Sequence, residues 1–481
     1  MSKPRIIIIG AGMSGILAAI KFQQAGYQDV TILEKASRLG GTWRDNTYPG
    51  LSCDVPSHHY SYSFEFNPNW THLFSPGAEI CEYFEGVAEK YGVHSLIRFD
   101  EEVIDAKFDQ SLWRLNTASG SSFEAEIVIC ATGPLHHPKY PDLEDLGRFE
   151  GACFHSARWD HSVPLDNQRV GIIGTGSTAI QITPAIIDRV DKLSLFQRTA
   201  QWVISLPNVP YSEEQKTQFR ADPQLMSDIY EQWKGQFNHT FARAVLGDER
   251  QLGKLHELCQ ANLDQNVHDA ELKRKLTPDY KVACKRLVMS STFYPAIQKP
   301  NADLVTAGIE RVEGAGIRTV DGELHELDVL VLATGFHAHQ FMRPIRLIGR
   351  NGVTIEQAWA DANAAYRSLA VPGFPNFFML VGPNSPIGNF SLIMISELQV
   401  DYILKLAERI RAGDCQALEP GQVATDQFNA DLKAAMGGTI WTSGCNSWYL
   451  DKNGTPVTWP WDFETFERDM AEPRFDDFVM S

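Results

Sequence analysis

Three glycines at positions 10, 12 and 15 follow directly on Ile6-Ile7-Ile8-Ile9 and form the first pattern that could do chemistry. Glycine permits a tight turn, lets backbone approach an anion and lets a helix lie close to a strand. Gly10-Ala11-Gly12-Met13-Ser14-Gly15 therefore suits a pyrophosphate seated on the N-terminal N–H groups of the helix that follows. A second strand, Val30-Thr31-Ile32-Leu33, ends at Glu34, whose carboxylate can accept from both hydroxyls of an adenosine ribose. The arrangement recurs where Val170-Gly171-Ile172-Ile173 leads into Gly174-Thr175-Gly176-Ser177-Thr178-Ala179 and then a strand Leu193-Ser194-Leu195-Phe196. Glu34 lies 24 residues after Gly10, and the residue 24 after Gly174 is Arg198, followed by Thr199. A guanidinium there matches a ribose 2′-phosphate by charge and by its planar fork of donors. The first cradle reads as an FAD site and the second as an NADPH site rather than an NADH site.

The elements that must hold these cradles are alternating buried strands and helices. Ala125–Ile129 runs into Cys130-Ala131-Thr132-Gly133, and Leu327–Leu332 into Ala333-Thr334-Gly335-Phe336, two further apolar strands ending in small-residue turns. Between the second cradle and residue 284 lies a helical pattern rich in charge and aromatics, read as a solvated amphipathic layer. The expected fold class is α/β, with two Rossmann-like dinucleotide-binding domains (FAD and NADP) and a helical insertion. In chain order the expected organisation is a first FAD-domain segment (1–148), a fingerprint linker (149–160), a first NADP-domain segment (161–206) and the helical insertion (207–283). A second NADP-domain segment (284–335) and a second FAD-domain segment with the C-terminal region (336–481) follow.

Composition narrows the partners. The 481 residues carry 43 Lys and Arg against 60 Asp and Glu, a formal charge of −17, which gives no overall attraction to nucleic acid or to an anionic membrane. The segment Ile6–Ile20 is broken by glycines and too short to span a bilayer, so no stable membrane anchoring is expected. The N-terminal residues lack a cationic, apolar and small-residue series in succession, so a cytoplasmic location is expected. Eight dispersed cysteines without a CxxC pair fit a reducing compartment. The adjacent pairs His58-His59 and His136-His137 lack metal-ligand spacing and read as solvated or locally bonded, so no metal is expected. Trp441, Trp448, Trp459 and Trp461 read as core or pocket wall.

Between the cradles, Phe149-Glu150-Gly151-Ala152-Cys153-Phe154-His155-Ser156-Ala157-Arg158-Trp159-Asp160 resembles the FxGxxxHxxxW(P/D) fingerprint of Baeyer–Villiger monooxygenases, with matches at Phe149, Gly151, His155, Trp159 and Asp160. Gly40-Gly41-Thr42-Trp43, Tyr48-Pro49-Gly50, Cys53-Asp54 and Tyr60 are similar to the flavin-side segment of the same family, although Arg44-Asp45-Asn46 departs from its usual aromatic-rich stretch. Cys284-Lys285-Arg286 resembles its Lys-Arg pair, and Gly382-Pro383-Asn384-Ser385-Pro386 a loop bordering its substrate pocket.

The resemblance implies an NADPH- and O2-dependent flavoprotein that inserts one oxygen atom beside a ketone carbonyl through a flavin peroxide, giving an ester or lactone. It implies Arg286 as the cation at the reacting oxygens and Asp54 as its positioning acid. The fingerprint histidine would couple domain motion. Cofactor binding is expected at Gly10, Gly12, Ser14, Gly15, Glu34, Gly41, Thr42, Trp43, Asp54, Tyr60 and Val103. For the nicotinamide cofactor the expected residues are Gly174, Thr175, Gly176, Ser177, Thr178, Gln181, Arg198, Thr199 and Lys285.

Other chemistries share these cradles. A flavin-containing monooxygenase acting on sulfides or amines has the same cofactor features, and only Trp159-Asp160 and Lys285-Arg286 argue against it. A flavin disulfide reductase would need a CxxC or CxxxxC pair, which the sequence lacks. An uncoupled NADPH oxidase or a non-enzymatic NADPH sensor also stays open.

Overall fold

The computed structural model describes residues 4–481. Ile6–Ile9 is buried at every residue because parallel strands flank it on both sides: Ile127–Cys130 on one and Val30–Leu33 on the other. Ile97–Arg98 and Phe377–Met379 complete a five-stranded parallel sheet in the order Phe377–Met379, Ile127–Cys130, Ile6–Ile9, Val30–Leu33, Ile97–Arg98. Its first helix, Met13–Gln24, buries Gly15 through Ile20 and packs against the long helix Leu392–Ala412, so the two ends of the chain close one core.

A second five-stranded parallel sheet has the order Ala302–Val305, Lys192–Phe196, Arg169–Ile173, Val329–Leu332, Ala152–His155. Two parallel sheets, each with a glycine turn and a helix after its central strand, give the doubly wound α/β architecture expected. The stretch read as a linker contributes an ordered element: Ala152–His155 is an edge strand of the second sheet, paired with Val329–Leu332. Its sequence, Ala152-Cys153-Phe154-His155, is short and ends on a polar histidine, so it lacks the apolar run that marks a buried strand in sequence.

Two antiparallel additions carried no glycine-cradle signal. Val103–Asp109, Leu112–Thr117 and Ser122–Ala125 form a meander joined by Arg346–Ile348, and Ile309–Glu313, Gly316–Thr319 and Leu324–Glu326 form a second. The helical insertion comprises Glu213–Ala221, Pro223–His239, Phe241–Val245, Glu249–Asn266 and Ala270–Leu276, several started by side-chain caps from Ser212, Asp222, Asp248 and Asp269. Pro223–His239 buries only Met226 and Tyr230, as a solvated layer does.

Two expectations are corrected. Cys284 and Cys445 form a disulfide across 161 residues of sequence, a pairing that local cysteine spacing cannot reveal. His58 and His59 are neither solvated nor locally bonded: both are about 1% exposed, and none of their four ring nitrogens has a hydrogen-bond partner. Tyr211, Phe219, Tyr230 and Phe237 of the insertion cover them, and burial lowers both imidazoles to about 4, which keeps them neutral. His136 and His137, by contrast, bond the carbonyl oxygens of Phe341 and Arg343. No helix among the described residues is long and apolar enough to cross a membrane.

Candidate active site between two dinucleotide cradles

At the first cradle Gly10 has φ +103°, and a Cβ there would come within 2.8 Å of the Ala131 carbonyl oxygen. At the second, Gly174 has φ +117°, and a Cβ would lie 2.3 Å from the Ala333 carbonyl oxygen. The turns Ala131-Thr132-Gly133 and Ala333-Thr334-Gly335 thus press on the cradles they serve. Helices Met13–Gln24 and Ser177–Ile186 have glycine N-caps, Gly12 and Gly176, with no side-chain cap. Their first N–H groups are left for a ligand. A Cβ on Gly176 would meet nothing within 4 Å, and one on Gly12 only the backbone of Gly41 at 3.5 Å, so neither N-cap puts a side chain in the way of a diphosphate. Ser14 bonds Ser396 of the long C-terminal helix, while Thr175 donates to the Thr199 carbonyl and holds the end of the adjoining strand.

Glu34 is gripped more tightly than its sequence position suggests. One oxygen accepts from the Ala11 N–H at 2.8 Å; the other accepts from the Ala36 N–H at 2.9 Å and from Arg44 at 3.0 Å. The first oxygen keeps a lone pair for a ribose hydroxyl. Arg44, which departs from the family pattern, is therefore the residue that neutralises and aims this carboxylate. Val103 lies in the core with Leu33 and does not line the crevice through its side chain. Trp43 donates to the Tyr60 hydroxyl at 3.2 Å, and their rings meet edge to face beside the Gly41-Thr42 turn.

At the second cradle Arg198 is exposed and Lys285 half-buried. Burial lowers the Lys285 ammonium below its ordinary range and the Arg198 charge lowers it further, against a weaker opposing effect of Asp279. Neither forms an ion pair among the described residues, and the Lys285 ammonium rests on the Tyr280 ring at 4.6 Å. Two neighbouring cations that no carboxylate pairs suit a dianionic 2′-phosphate. Gln181 instead ties the two domains together, accepting from Tyr48 and donating to the Ser52 carbonyl.

The domains meet at Asp54 and Arg286. Nε of Arg286 donates to Oδ2 of Asp54 at 3.0 Å, Nη2 donates to the same oxygen, and Nη1 donates to the Gly388 carbonyl at 3.0 Å. Burial would lower the guanidinium, but the charge of Asp54, with Tyr449 behind it, wins and raises it, so Arg286 is permanently cationic. The pair keeps 27% and 29% of its side-chain surface exposed, enough to meet a ligand. Alongside lies a small cavity walled by Phe341, Gly382, Asn384, Ile387, Trp448 and Tyr449, which includes two residues of the loop expected to border substrate.

His155 of the fingerprint sits away from that cavity. Its Nδ1 accepts from the Ala157 N–H, and its Nε2 lies 3.0 Å from the Gly335 carbonyl oxygen, which assigns the proton to Nε2. It thereby joins the edge strand to the turn that leads back into the first domain. Gly151 is required because a Cβ would strike the Asp328 carbonyl oxygen and the Phe149 ring. Trp159 packs edge to face on Phe154, and Asp160 accepts from Ser162 to close a surface turn. Tyr449, Gly388 and Cys445 were missed in sequence, since nothing local marks residues that act on an arginine more than 100 positions away.

A family described as pyridine nucleotide-disulphide oxidoreductase matches residues 7–220. A protein named Baeyer–Villiger monooxygenase from Streptomyces coelicolor is 40% identical over 97% of this chain and 90% of its own. The chain belongs to the Baeyer–Villiger monooxygenase family. An uncharacterized monooxygenase of Mycobacterium tuberculosis is 50% identical over 95% of this chain and 92% of its own. Among solved structures, OTEMO in complex with FAD and NADP superimposes with a TM-score of 0.89 at 26% identity, covering 100% of both chains. A cyclohexanone-bound cyclohexanone monooxygenase does so with a TM-score of 0.87 at 27% identity, covering 100% of this chain and 99% of that one. Membership in this family fits the two uncapped glycine cradles and the absence of a CxxC or CxxxxC pair from the sequence.

Proposed function

We propose that this protein is an FAD- and NADPH-dependent monooxygenase that inserts one atom of O2 next to a ketone carbonyl to give an ester or lactone. The observation that carries the reading is the placement of Arg286, a partly exposed cation from the segment after the helical insertion, held by Asp54 of the first domain and by Gly388. FAD, once reduced by NADPH, supplies the activation of O2. Gly10, Gly12 and Gly15 seat its diphosphate, Glu34 its ribose, and Gly41-Thr42-Trp43 the approach to its ring. Arg198, Thr199 and Lys285 hold the 2′-phosphate of the nicotinamide cofactor.

Arg286 acts on the substrate. As the ketone carbonyl is attacked, negative charge develops on its oxygen, and a fixed guanidinium in a site sheltered from water stabilises that charge. Asp54 shares its oxygen between two guanidinium nitrogens, fixes the plane of the fork, and balances the positive charge when no substrate is present. Phe341, Ile387 and Trp448 supply apolar wall that excludes water from the reacting atoms.

The test is competition. Purified FAD-loaded protein is given NADPH with an equimolar cyclic ketone and thioether, and products are separated by mass spectrometry. Ester or lactone as the main product supports the reading; sulfoxide without ester assigns the protein to heteroatom oxidation.

A further inference from the structure

Arg286 lies in a stretch without regular structure, between the helix Ala270–Leu276 and the strand Val288–Met289, and Ala283 just before it has φ +65°. A cation that must face the substrate needs a firmer seat than such a loop provides. The loop is fixed at Cys284, which is fully buried and joined to Cys445 on the C-terminal arm. Four residues further along that arm is Tyr449, 3% exposed, its ring against Trp441 and Trp448. The Tyr449 hydroxyl lies over Cα of Gly388, where an added Cβ would come within 2.2 Å of it, and Gly388 has φ +92°. The carbonyl of that same glycine accepts from Arg286 Nη1, so the Tyr449 hydroxyl packs on the very residue that holds the guanidinium, near enough for the arginine charge to act on it.

We infer that Tyr449 is a positioning residue for Arg286, and that the Cys284–Cys445 bond locks its arm onto the arginine loop. Asp54 fixes one edge of the guanidinium from the first domain, and Tyr449 with Gly388 fixes the other. The fork then presents its free N–H groups in one direction only, which is the condition for electrostatic stabilisation without reorganisation. The inference rests on Arg286 being the cation that acts on substrate.

The experiment compares wild type, Tyr449→Phe, Cys445→Ala and Arg286→Lys as FAD-loaded enzymes, reading product formed per NADPH consumed. Tyr449→Phe keeps the ring and removes the hydroxyl; the expected result is at least a fivefold drop in this ratio, with the lost equivalents recovered as hydrogen peroxide. The second readout uses cofactor-free protein. Backbone hydrogen exchange in residues 281–289 should speed up at least fivefold in Cys445→Ala and in wild type reduced by a phosphine. An unchanged product ratio in Tyr449→Phe, or unchanged exchange in Cys445→Ala, overturns the inference. If Tyr449→Phe fails to fold, the product ratio of phosphine-reduced wild type decides in its place, by the same fivefold criterion. Full ester yield from Arg286→Lys would instead remove the underlying reading of Arg286, so the two failures are told apart.

Discussion

Asp54 and Arg286 are 232 residues apart in the chain, yet a single carboxylate oxygen of Asp54 accepts from both Nε and Nη2 of the arginine. Asp54 lies between the strands Val30–Leu33 and Ile97–Arg98 of the first sheet and Arg286 follows the helical insertion, so this pair closes the cleft only when both domains are folded. Breaking one partner of such a pair leaves the other charge uncompensated.

Arg286→Ala is expected to lower ester formation about 10²–10³-fold, the cost typical of removing one preorganised donor from a developing oxyanion. NADPH-dependent flavin reduction, followed at the flavin absorbance under anaerobic conditions, should persist. Normal ester yield in this variant would show that the guanidinium has no role on the substrate.

Arg198→Ala and Lys285→Ala should each raise the KM for NADPH about 10–100-fold, as expected for the loss of a charge-assisted hydrogen bond. The KM for NADH should barely move, because NADH lacks the 2′-phosphate. Steady-state kinetics with both cofactors check this, and an equal loss for NADH would place both cations outside the phosphate site.

Glu397 lies in the helix Leu392–Ala412 and accepts from the Ser63 N–H and hydroxyl, yet burial outweighs those bonds and raises its carboxyl to about 7. The fold therefore favours the neutral acid. That contribution is complete below the ordinary carboxylate range and is lost as pH rises to and through about 7. Glu397→Gln mimics the neutral form, so it should stabilise the protein by on the order of 2 kcal/mol at pH 8.5 and by almost nothing at pH 4. Urea unfolding at the two pH values measures the difference, and equal effects at both would contradict it.

Much of this was legible in the sequence where the physics is local. Gly10, Gly12 and Gly15 announce a phosphate cradle because the turn, the close approach and the helix start lie within six residues. Arg198 could be set against Glu34 because the two cradles share one spacing. What stayed hidden depends on contacts between distant segments. Arg44 looked like a disturbance of the flavin-side pattern and turns out to brace Glu34. His58 and His59 read as solvated or locally bonded, but aromatic rings of the insertion more than 150 residues later enclose them. Cys284 and Cys445 carry no mutual signal at a separation of 161. Ala152–His155 read as linker because an edge strand needs no continuous apolar run.

The most direct test is turnover of a cyclic ketone with NADPH under 18O2, with products read by mass spectrometry. One labelled oxygen in the ring of the lactone, with the carbonyl oxygen unlabelled, is the expected result. NADPH consumed to labelled hydrogen peroxide with no lactone from any of a broad series of ketones would contradict oxygen insertion beside a carbonyl.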